Sequence, residues 1–343
     1  MRFFRLITGI SLCVTACLGP VSHGPAVAAN ATSPAKSAPV DLVLQERLRL
    51  FQQFELLYDI PWTYLAAIDQ YERTKSKRPQ QRKPATRLTA INIPPDLWSG
   101  PLNPEEDDTD RASIQFFGGI GCDGNGDGRA DRADDIDVLT AITRYLAKYG
   151  FQRDDWRIAL WSYYQRDRAV KTIDQFASVY EKYQTLDLDA HHFPIPRRYN
   201  YSYHSTWGDA RGWGGRRIHE GTDIFAGYGT PVLSTGYGVI EVVGWNRYGG
   251  WRIGMRDMGN VYHYFAHLSS FRKGLRPGDI VAPGEVLGYV GSSGYGKPGT
   301  SGKFPPHLHY GMYKESGENE WAFDPYPYLK RWERQMFLKR KRR

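Results

Sequence analysis

The segment Pro306-His307-Leu308-His309-Tyr310 lies near the C-terminal end of the chain and carries the clearest information on its fold and chemistry. The aromatic residues that begin at Tyr310 favour a β-strand, and successive side chains of a strand point to opposite faces. His307 and His309 are therefore predicted to project side by side from one face of a sheet. Two imidazoles in that arrangement suit a metal ligand and a catalytic neighbour, although a His-x-His pair alone is a weak signal.

A second motif lies upstream, where residues 217–225 read Arg-Ile-His-Glu-Gly-Thr-Asp-Ile-Phe. This motif offers a further imidazole, His219, and a carboxylate, Asp223. Two histidines and one aspartate leave the fourth position of a tetrahedral zinc ion open, which is the pattern of a catalytic site. The alternative is two unrelated surface patches. Because both motifs stand among glycine-punctuated strands, the zinc site is the stronger prediction.

The composition is that of a soluble globular protein with room for two domains. The chain has 343 residues, of which 41% are hydrophobic and 24% are charged, so each half is long enough to bury its own core. Aromatic residues make up 14%, including 23 Tyr and 10 Trp, which suits surfaces that bind carbohydrate or peptide. The net charge of +8 favours anionic partners. Three cysteines cannot form a disulfide framework, so packing and metals have to stabilise the chain.

The N-terminal segment is predicted to be a signal peptide over residues 1–29. It has a basic start followed by an apolar run at residues 6–18, which is too short to span a bilayer comfortably. Residues 26–29 (Ala-Val-Ala-Ala) are a small-residue cleavage site that would release the mature protein. Residues 14–17 (Val-Thr-Ala-Cys) resemble a bacterial lipobox, which would leave a lipid-anchored Cys17 instead. Both routes place the mature protein outside the cytoplasm.

The hydrophobic pattern changes once along the chain, from helical periodicity to short strands. Residues 30–40 are predicted to be a flexible leader, and residues 185–198, which contain two prolines, a linker. The linker separates an all-α domain at residues 41–184 from an all-β domain at residues 199–329. Short glycine-containing connections predict that neighbouring strands are antiparallel. The predicted fold class is therefore multidomain α + β.

An aspartate-rich loop in the all-α domain has the spacing of an EF-hand calcium loop. Its ligand positions 1, 3, 5, 7, 9 and 12 are Asp123, Asn125, Asp127, Arg129, Asp131 and Asp134. Position 6 is Gly128, which such loops need for a sharp turn. Aspartate in place of the usual glutamate at position 12 shortens the bidentate reach and predicts a modest affinity for calcium. The alternative is an acidic turn without metal.

Residues 199–326 resemble the lysostaphin-type (LytM-like) zinc endopeptidases of bacterial cell walls. Besides the two motifs above, Thr206-Trp207-Gly208 and Phe265-Ala266-His267-Leu268 carry the likeness, in the order of the family. The resemblance implies an antiparallel sheet with the duplicated hybrid motif. It also implies hydrolysis of peptidoglycan stem peptides or cross-bridges. The glycine-rich loop at residues 291–302 is predicted to form one wall of the substrate groove, which suits an unhindered peptide.

The same resemblance assigns roles to five residues. The implied zinc ligands are His219, Asp223 and His309. His267 and His307 are implied to be a catalytic pair beside the attacking water. Because zinc lowers the pKa of a bound water to roughly 7, one neutral imidazole can remove its proton and a charged one can stabilise the oxyanion. As a strand residue, His267 is predicted to share a face with His263 and Phe265, and to point into the cleft that holds His307.

Residues 60–72 resemble, less closely, the helix of soluble lytic transglycosylases that carries their acid/base glutamate, here Glu72. This likeness implies a lysozyme-like or transglycosylase-like fold for the all-α domain. Arg73-Thr74 stands where that family has Ser-Gly, and Tyr164 stands where it has Asn. These departures favour glycan binding over glycan cleavage. Pairing with Arg73 or Lys75 is the alternative role of Glu72.

The C-terminal residues 330–343 form a basic tail that ends Lys-Arg-Lys-Arg-Arg. It is predicted to be a solvated helix that tethers the protein to anionic cell-wall polymers or to a membrane surface. No base-reading motif accompanies the charge, so specific binding of nucleic acid is not predicted.

The leading prediction is a secreted zinc metalloendopeptidase that hydrolyses peptidoglycan peptides. A catalytically silent wall-binding or activator scaffold is one alternative, although loss of a ligand usually marks that use and all five positions are present. A bifunctional hydrolase that also cleaves glycan strands through Glu72 is another. Zinc is the predicted cofactor, with calcium as a second metal.

Overall fold

The computed structural model describes residues 39–75, 87–211, 217–315 and 319–338, which belong to one compact unit. The predicted signal peptide with Cys17, most of the leader and the final five basic residues lie outside these ranges. Among the described helices, none has both the length and the apolar character needed to cross a bilayer.

Seven helices precede the first strand in the described part of the chain. They are α1 (Pro39–Tyr58), α2 (Trp62–Lys75), α3 (Pro95–Ser99), α4 (Arg111–Phe116), α5 (Asp135–Ala147), α6 (Arg153–Tyr164) and α7 (Asp167–Tyr183). The predicted helical region is therefore present, whereas its lysozyme-like identity stays a prediction.

Helix α2 is the central helix of this region and is buried along most of its length. Pro61 directly precedes it, and the fixed φ of proline suits the start of a helix. The ring of Trp62 lies 6.1 Å from that of Tyr180 on α7, and the ring of Tyr64 lies 4.8 Å from that of Trp156 on α6. Aromatic packing around α2 thus joins the early helices to the late ones.

Twelve strands and one helix follow within the described residues. They are β1 (Tyr201–Tyr203), β2 (Ala210–Arg211), β3 (Arg217–Ile218), β4 (Thr222–Ala226), β5 (Pro231–Leu233), β6 (Gly238–Asn246), β7 (Gly250–Asp257), β8 (Val261–Phe271), β9 (Ile280–Val281), β10 (Val286–Val290), β11 (His307–Glu315), β12 (Glu320–Phe323) and α8 (Tyr326–Leu338).

The main sheet has the strand order β1-β4-β11-β8-β7-β6-β9, with β10 pairing with β5 and β8 and β12 pairing with β11. The strands of this sheet pair antiparallel throughout the described residues, which confirms the predicted antiparallel sheet. One face of β11 lies in a hydrophobic core through Leu308, Tyr310 and Met312. The other face carries the two histidines of the His-x-His motif.

Helix α8 packs against this same core. Leu329 and Trp332 are buried in it, and the Trp332 ring lies 6.3 Å from that of Tyr310. The predicted helix is therefore present, but the prediction that it is solvated is wrong for one side of α8, which is docked on the β-region. Residues three apart lie on one side of a helix, so the spacing of these two apolar side chains indicates the buried side.

The helical region and the β-region share ion pairs across the predicted linker. Lys171 of α7 lies 3.1 Å from Glu241 on β6. Arg166, at the start of α7, pairs with Glu315, the last residue of β11. The strand that carries the His-x-His motif therefore ends against the helical region.

We expect Leu329→Ala to lower the free energy of unfolding by about 2–5 kcal/mol, because the leucine is fully buried and its removal leaves a cavity. Urea denaturation followed by tryptophan fluorescence measures this. Leu338→Ala is the matched control, since Leu338 lies on the same helix and is 54% exposed. Equal midpoints for the two variants would contradict the docking of α8.

Candidate active site

Strands β4 and β11 bring the candidate metal ligands together. In their antiparallel register His309 lies opposite Asp223, and His307 lies opposite Phe225. Residues two apart on a strand face the same side, so both histidines lie on the face that carries Asp223. His219 reaches the same point from the short segment between β3 and β4.

Three ligand atoms converge at this point. Nε2 of His219 lies 2.8 Å from Nδ1 of His309, and Oδ1 of Asp223 lies 2.9 Å from the His309 atom and 3.1 Å from the His219 atom. In tetrahedral zinc sites with bonds of about 2.0–2.1 Å, neighbouring ligand atoms are about 3.3 Å apart, so this triangle is nearly the required size. Across the described residues, these three side chains form the only group of three or more potential metal ligands. Two imidazole nitrogens and a carboxylate oxygen also suit zinc chemically.

Thr206 orients two of the ligands. Its carbonyl oxygen lies 2.7 Å from Nδ1 of His219, and because a carbonyl can only accept, that nitrogen carries the proton and Nε2 is left for the metal. Its hydroxyl accepts a hydrogen bond of 3.2 Å from the backbone N–H of Asp223. The sequence marked Thr206 only as part of the Thr-Trp-Gly motif, so this role was missed.

The carboxyl group of Asp223 is held as a carboxylate. Burial by itself would raise its pKa, but hydrogen bonds with His219 and His309 and the nearby imidazoles lower the pKa far below its usual range. An anionic oxygen ligand beside two imidazoles is the form that binds a divalent metal.

A β-bulge presents His267 to the metal centre. Across β7 and β8, Trp251 pairs with Leu268 and Ile253 pairs with Phe265, so β8 holds one extra residue between these pairs. His267 lies in this bulge with φ +62°, a left-handed conformation that costs a residue other than glycine about 1–3 kcal/mol. Its backbone N–H donates to the Gly249 carbonyl at 2.7 Å, which helps to hold the bulge in place.

The prediction that His267 shares a face with His263 and Phe265 is wrong. His263 is fully buried on the opposite face, where its Nδ1 lies 2.6 Å from the hydroxyl of Tyr310. One extra residue in a strand moves the following side chain to the other face. The bulge therefore turns His267 towards His307, and the rings of these two residues lie 4.8 Å apart.

The surroundings of His267 keep its imidazole neutral. Burial and the nearby imidazoles of His307 and His309 lower its pKa well below the usual value. Its Nδ1 lies 2.8 Å from the Ser293 carbonyl, so that nitrogen carries the proton and Nε2 is the basic atom. The structure thus brings together all five residues that the resemblance singled out.

A groove of about 300 Å³ lies over the metal centre. Its walls are largely aromatic and include Tyr248, Tyr264, Tyr295 and Tyr313. Tyr295 belongs to the glycine-rich loop at residues 291–302, so this loop contributes to the wall of the groove, and binding of substrate there stays a prediction. Phe304 follows the loop and packs on the catalytic pair, with ring centroids 4.6 Å from His267 and 5.1 Å from His307.

Glu72 is buried near the end of α2, and its carboxylate already has two partners. The Tyr164 hydroxyl donates to its Oε1 at 2.8 Å, and Nζ of Lys75 lies 3.0 Å from the same oxygen. Lys75 also lies 5.2 Å from the centre of the Tyr164 ring. The structure thus shows the Lys75 pairing that the sequence offered as an alternative, and glycan cleavage would require this ion pair to open.

The aspartate-rich loop uses its carboxylates to hold its own backbone. Asp123 accepts hydrogen bonds from the N–H groups of Gly126 at 2.6 Å and Gly128 at 3.0 Å. Asp134 caps helix α5 by accepting from the N–H of Ile136 at 2.8 Å. Where the structure describes the chain, potential metal ligands cluster in threes only at the His/Asp/His centre, so calcium binding is not supported.

Comparison with known proteins agrees with this geometry. Residues 217–325 match the family described as "Peptidase family M23". The chain is 56% identical over 301 residues to a protein of Bacillus subtilis (strain 168) named "L-Ala--D-Glu endopeptidase", and the match covers 88% of this chain and 92% of that protein. The chain belongs to peptidase family M23.

Other M23 relatives match a smaller part of the chain. Lysostaphin of Staphylococcus simulans is 36% identical over 115 residues, which is 33% of this chain and 22% of that protein. A crystal structure of a putative glycyl-glycine endopeptidase lytM from Ruminococcus gnavus ATCC 29149 is 36% identical, covers 54% of this chain and 74% of its own, and has a TM-score of 0.40. As an M23 peptidase, the chain is a zinc-dependent endopeptidase that hydrolyses peptides of peptidoglycan, which confirms the predicted activity. Its secretion stays a prediction.

We expect His309→Ala to lose both zinc and peptide cleavage, because one of the three converging ligand atoms is removed. His307→Ala should retain zinc and lose most activity. Zinc content by mass spectrometry and cleavage of purified sacculi measure the two effects. His204→Ala, at an exposed position outside the site, is the control. Full zinc occupancy with normal turnover in the His309→Ala protein would contradict the ligand assignment.

Gly221 leaves the space that the His309 ring occupies. A Cβ atom at position 221 would lie 2.5 Å from Cε1 of His309 and 2.8 Å from the Tyr310 carbonyl oxygen, and the backbone oxygen has little freedom to move. We therefore expect Gly221→Ala to weaken zinc binding and activity at least tenfold, measured by titration with a competing chelator. Gly227→Ala is the control, because its Cβ would meet only Thr230, at 3.7 Å. Equal zinc affinity in both variants would show that the ring position does not depend on Gly221.

Proposed function

We propose that the chain hydrolyses the L-Ala–D-Glu bond of peptidoglycan stem peptides, outside the cytoplasm. The observation that carries this proposal is the extent of the likeness to the Bacillus subtilis enzyme of that name. That likeness covers 88% of this chain, whereas the lysostaphin relative matches 33% of it. Because the first match leaves only about an eighth of the chain uncovered, it includes most of the helical region, which a match of 115 residues is too short to do together with residues 217–325.

The metal centre supports this activity. His219, Asp223 and His309 would hold the zinc ion through the three converging atoms. When bound, zinc would polarise the scissile carbonyl and lower the pKa of a water to about 7.

The catalytic pair can move the protons. Nε2 of His267 is the basic atom of a neutral imidazole and is suited to accept a proton from the attacking water. Nδ1 of His307 lies 2.8 Å from the carbonyl of Pro305, so its proton is engaged there. In its charged form His307 can donate from Nε2 to the developing oxyanion and then protonate the leaving amine.

The helical region is proposed to bind the glycan strand from which the stem peptide branches. Its aromatic cluster supports this role, because Tyr145, Tyr163 and Tyr164 form a chain of rings with centroids 5.8 Å and 4.7 Å apart, next to the ion pair of Glu72 and Lys75. Aromatic rings with hydroxyl groups offer both stacking and hydrogen bonds to sugars. Anionic wall polymers remain proposed partners of the basic tail.

Digestion of purified sacculi by the full-length protein is expected to release fragments with new N-terminal D-Glu residues. Mass spectrometry of the products, with end-group labelling, identifies the bond. The His309→Ala protein is the control for contaminating hydrolases. Cleavage at any other peptide bond would contradict the proposed specificity, and no products would favour a silent scaffold. Anhydro-sugars that disappear in the Glu72→Gln protein would show that the helical region cleaves glycan rather than only binding it.

A further inference from the structure

Arg252 on β7 lies beside the catalytic groove. It lies between Trp251 and Ile253, opposite the bulge in the neighbouring strand β8 that presents His267. Its guanidinium carbon lies 5.9 Å from the centre of the Tyr264 ring, which lines the groove. The Tyr264 ring lies 5.9 Å from the ring of His309. A single aromatic ring therefore separates this cation from a metal-binding imidazole.

The charge of Arg252 is not matched within the described residues. Among them, none forms a hydrogen bond or ion pair with its guanidinium, and Nε is buried without a hydrogen-bond partner. The guanidinium makes a cation–π contact with the Tyr264 ring. A buried donor that has no acceptor costs about 1–3 kcal/mol, so an unmatched position of this kind calls for an explanation.

Arg256 shows what a satisfied arginine on the same strand looks like. Arg256 follows Arg252 by four residues on the same strand, so both side chains point to the same face of the sheet. It pairs with Glu241 at 3.2 Å and with Glu320 at 2.6 Å, and it donates to Asn260 at 3.1 Å. The lack of such partners at Arg252 is therefore a property of that position and not of the strand.

The surface next to Arg252 has room for a ligand. Its cross-strand neighbour on β6 is Gly244, where a side chain would meet no atom within 4 Å. Asn246, two residues further along β6 on the same face, lines the groove. The space beside Gly244 therefore lies between Arg252 and a residue of the groove wall.

We propose that Arg252 binds the free carboxylate of the glutamyl residue on the leaving side of the scissile bond, and so determines specificity. This rests on the proposed function, since it assumes an L-Ala–D-Glu substrate. A glutamyl residue within a chain uses one carboxyl group for its peptide bond and keeps the other as an anion. That anion lies about 2.5–5 Å from the scissile nitrogen by standard bond lengths. Arginine matches it, because the guanidinium binds a carboxylate through two parallel hydrogen bonds.

The test compares two synthetic stem peptides that differ in one group. One carries the free carboxylate on D-Glu, and the other carries the corresponding amide. We expect wild-type holoenzyme to cleave the carboxylate peptide with a kcat/KM about 10- to 100-fold higher, the range of a hydrogen bond to a charged group. Arg252→Gln should lower kcat/KM for the carboxylate peptide by a similar factor and change that for the amide peptide less than about threefold. Arg252→Lys should restore part of the preference.

Arg247→Gln is the matched control, because Arg247 is exposed and does not line the groove, and the variant removes the same charge. Its guanidinium lies 5.9 Å from the ring of Tyr248, which does line the groove. The variant should affect both peptides equally. Equal losses on both peptides in Arg252→Gln would show a structural role and overturn the assignment. If that variant fails to fold, equal cleavage of the two peptides by the wild type overturns it as well. Cleavage of neither peptide by zinc-loaded wild type would overturn the proposed function and the assignment with it.

Discussion

The antiparallel pairing of β11 between β4 and β8 is the constraint on which the active site depends. It sets His309 opposite Asp223 on one side and opposite Ala266 on the other. The register is fixed from behind, because Leu308 and Tyr310 are fully buried in the core under the sheet. A slip of one residue would exchange these side chains with the histidines. Core packing and metal-site geometry are therefore two results of one register.

The imidazoles of the site are oriented by backbone carbonyls. The three contacts of this kind are His219 with Thr206, His267 with Ser293, and His307 with Pro305, at 2.7 Å, 2.8 Å and 2.8 Å. Each carbonyl fixes the proton on Nδ1 and leaves Nε2 to face the centre. His309 differs, because its Nδ1 is the atom that faces the other two ligands. A rigid sheet with its connecting loops thus sets the tautomers as well as the positions.

Local periodicity predicted the part of the site that lies on regular strands. The alternation of His307 and His309 follows from the two-residue repeat of a strand, and a short motif contains both His219 and Asp223. The position of His267 could not be predicted in this way, because the bulge depends on a contact with Gly249 and on the Ser293 carbonyl, which are distant in sequence. The family resemblance supplied that residue instead.

Two other expectations were not borne out in full, for different physical reasons. The C-terminal helix was predicted to be solvated because of its basic charge. Its burial depends instead on the hydrophobic core of the β-region, in which Leu329 and Trp332 are packed. The aspartate-rich loop has the residue spacing of a calcium-binding loop. That spacing does not determine whether its carboxylates bind a metal or accept hydrogen bonds from backbone N–H groups. Asp137, outside the EF-hand positions, is fully buried and accepts backbone N–H groups of Gly124 at 2.7 Å and Asp131 at 2.8 Å. Such a loop can be organised by its own backbone without a metal.

Strand β11 also connects the metal centre to the helical region. His309 lies near the start of the strand, and Glu315, its last residue, pairs with Arg166. The side chains of Glu315 and Glu241 are buried, whereas those of their partners Arg166 and Lys171 are 30% and 60% exposed, so the pairs contribute little net stability. A wrong docking would nevertheless leave two buried carboxylates unpaired. The ion pairs therefore act mainly on the placement of the helices relative to the groove. A helical region that binds glycan, as proposed, would then hold the strand at a fixed distance from the zinc ligands. That arrangement suits hydrolysis of a peptide that is attached to the glycan, because binding of the polymer and positioning of the scissile bond become one event.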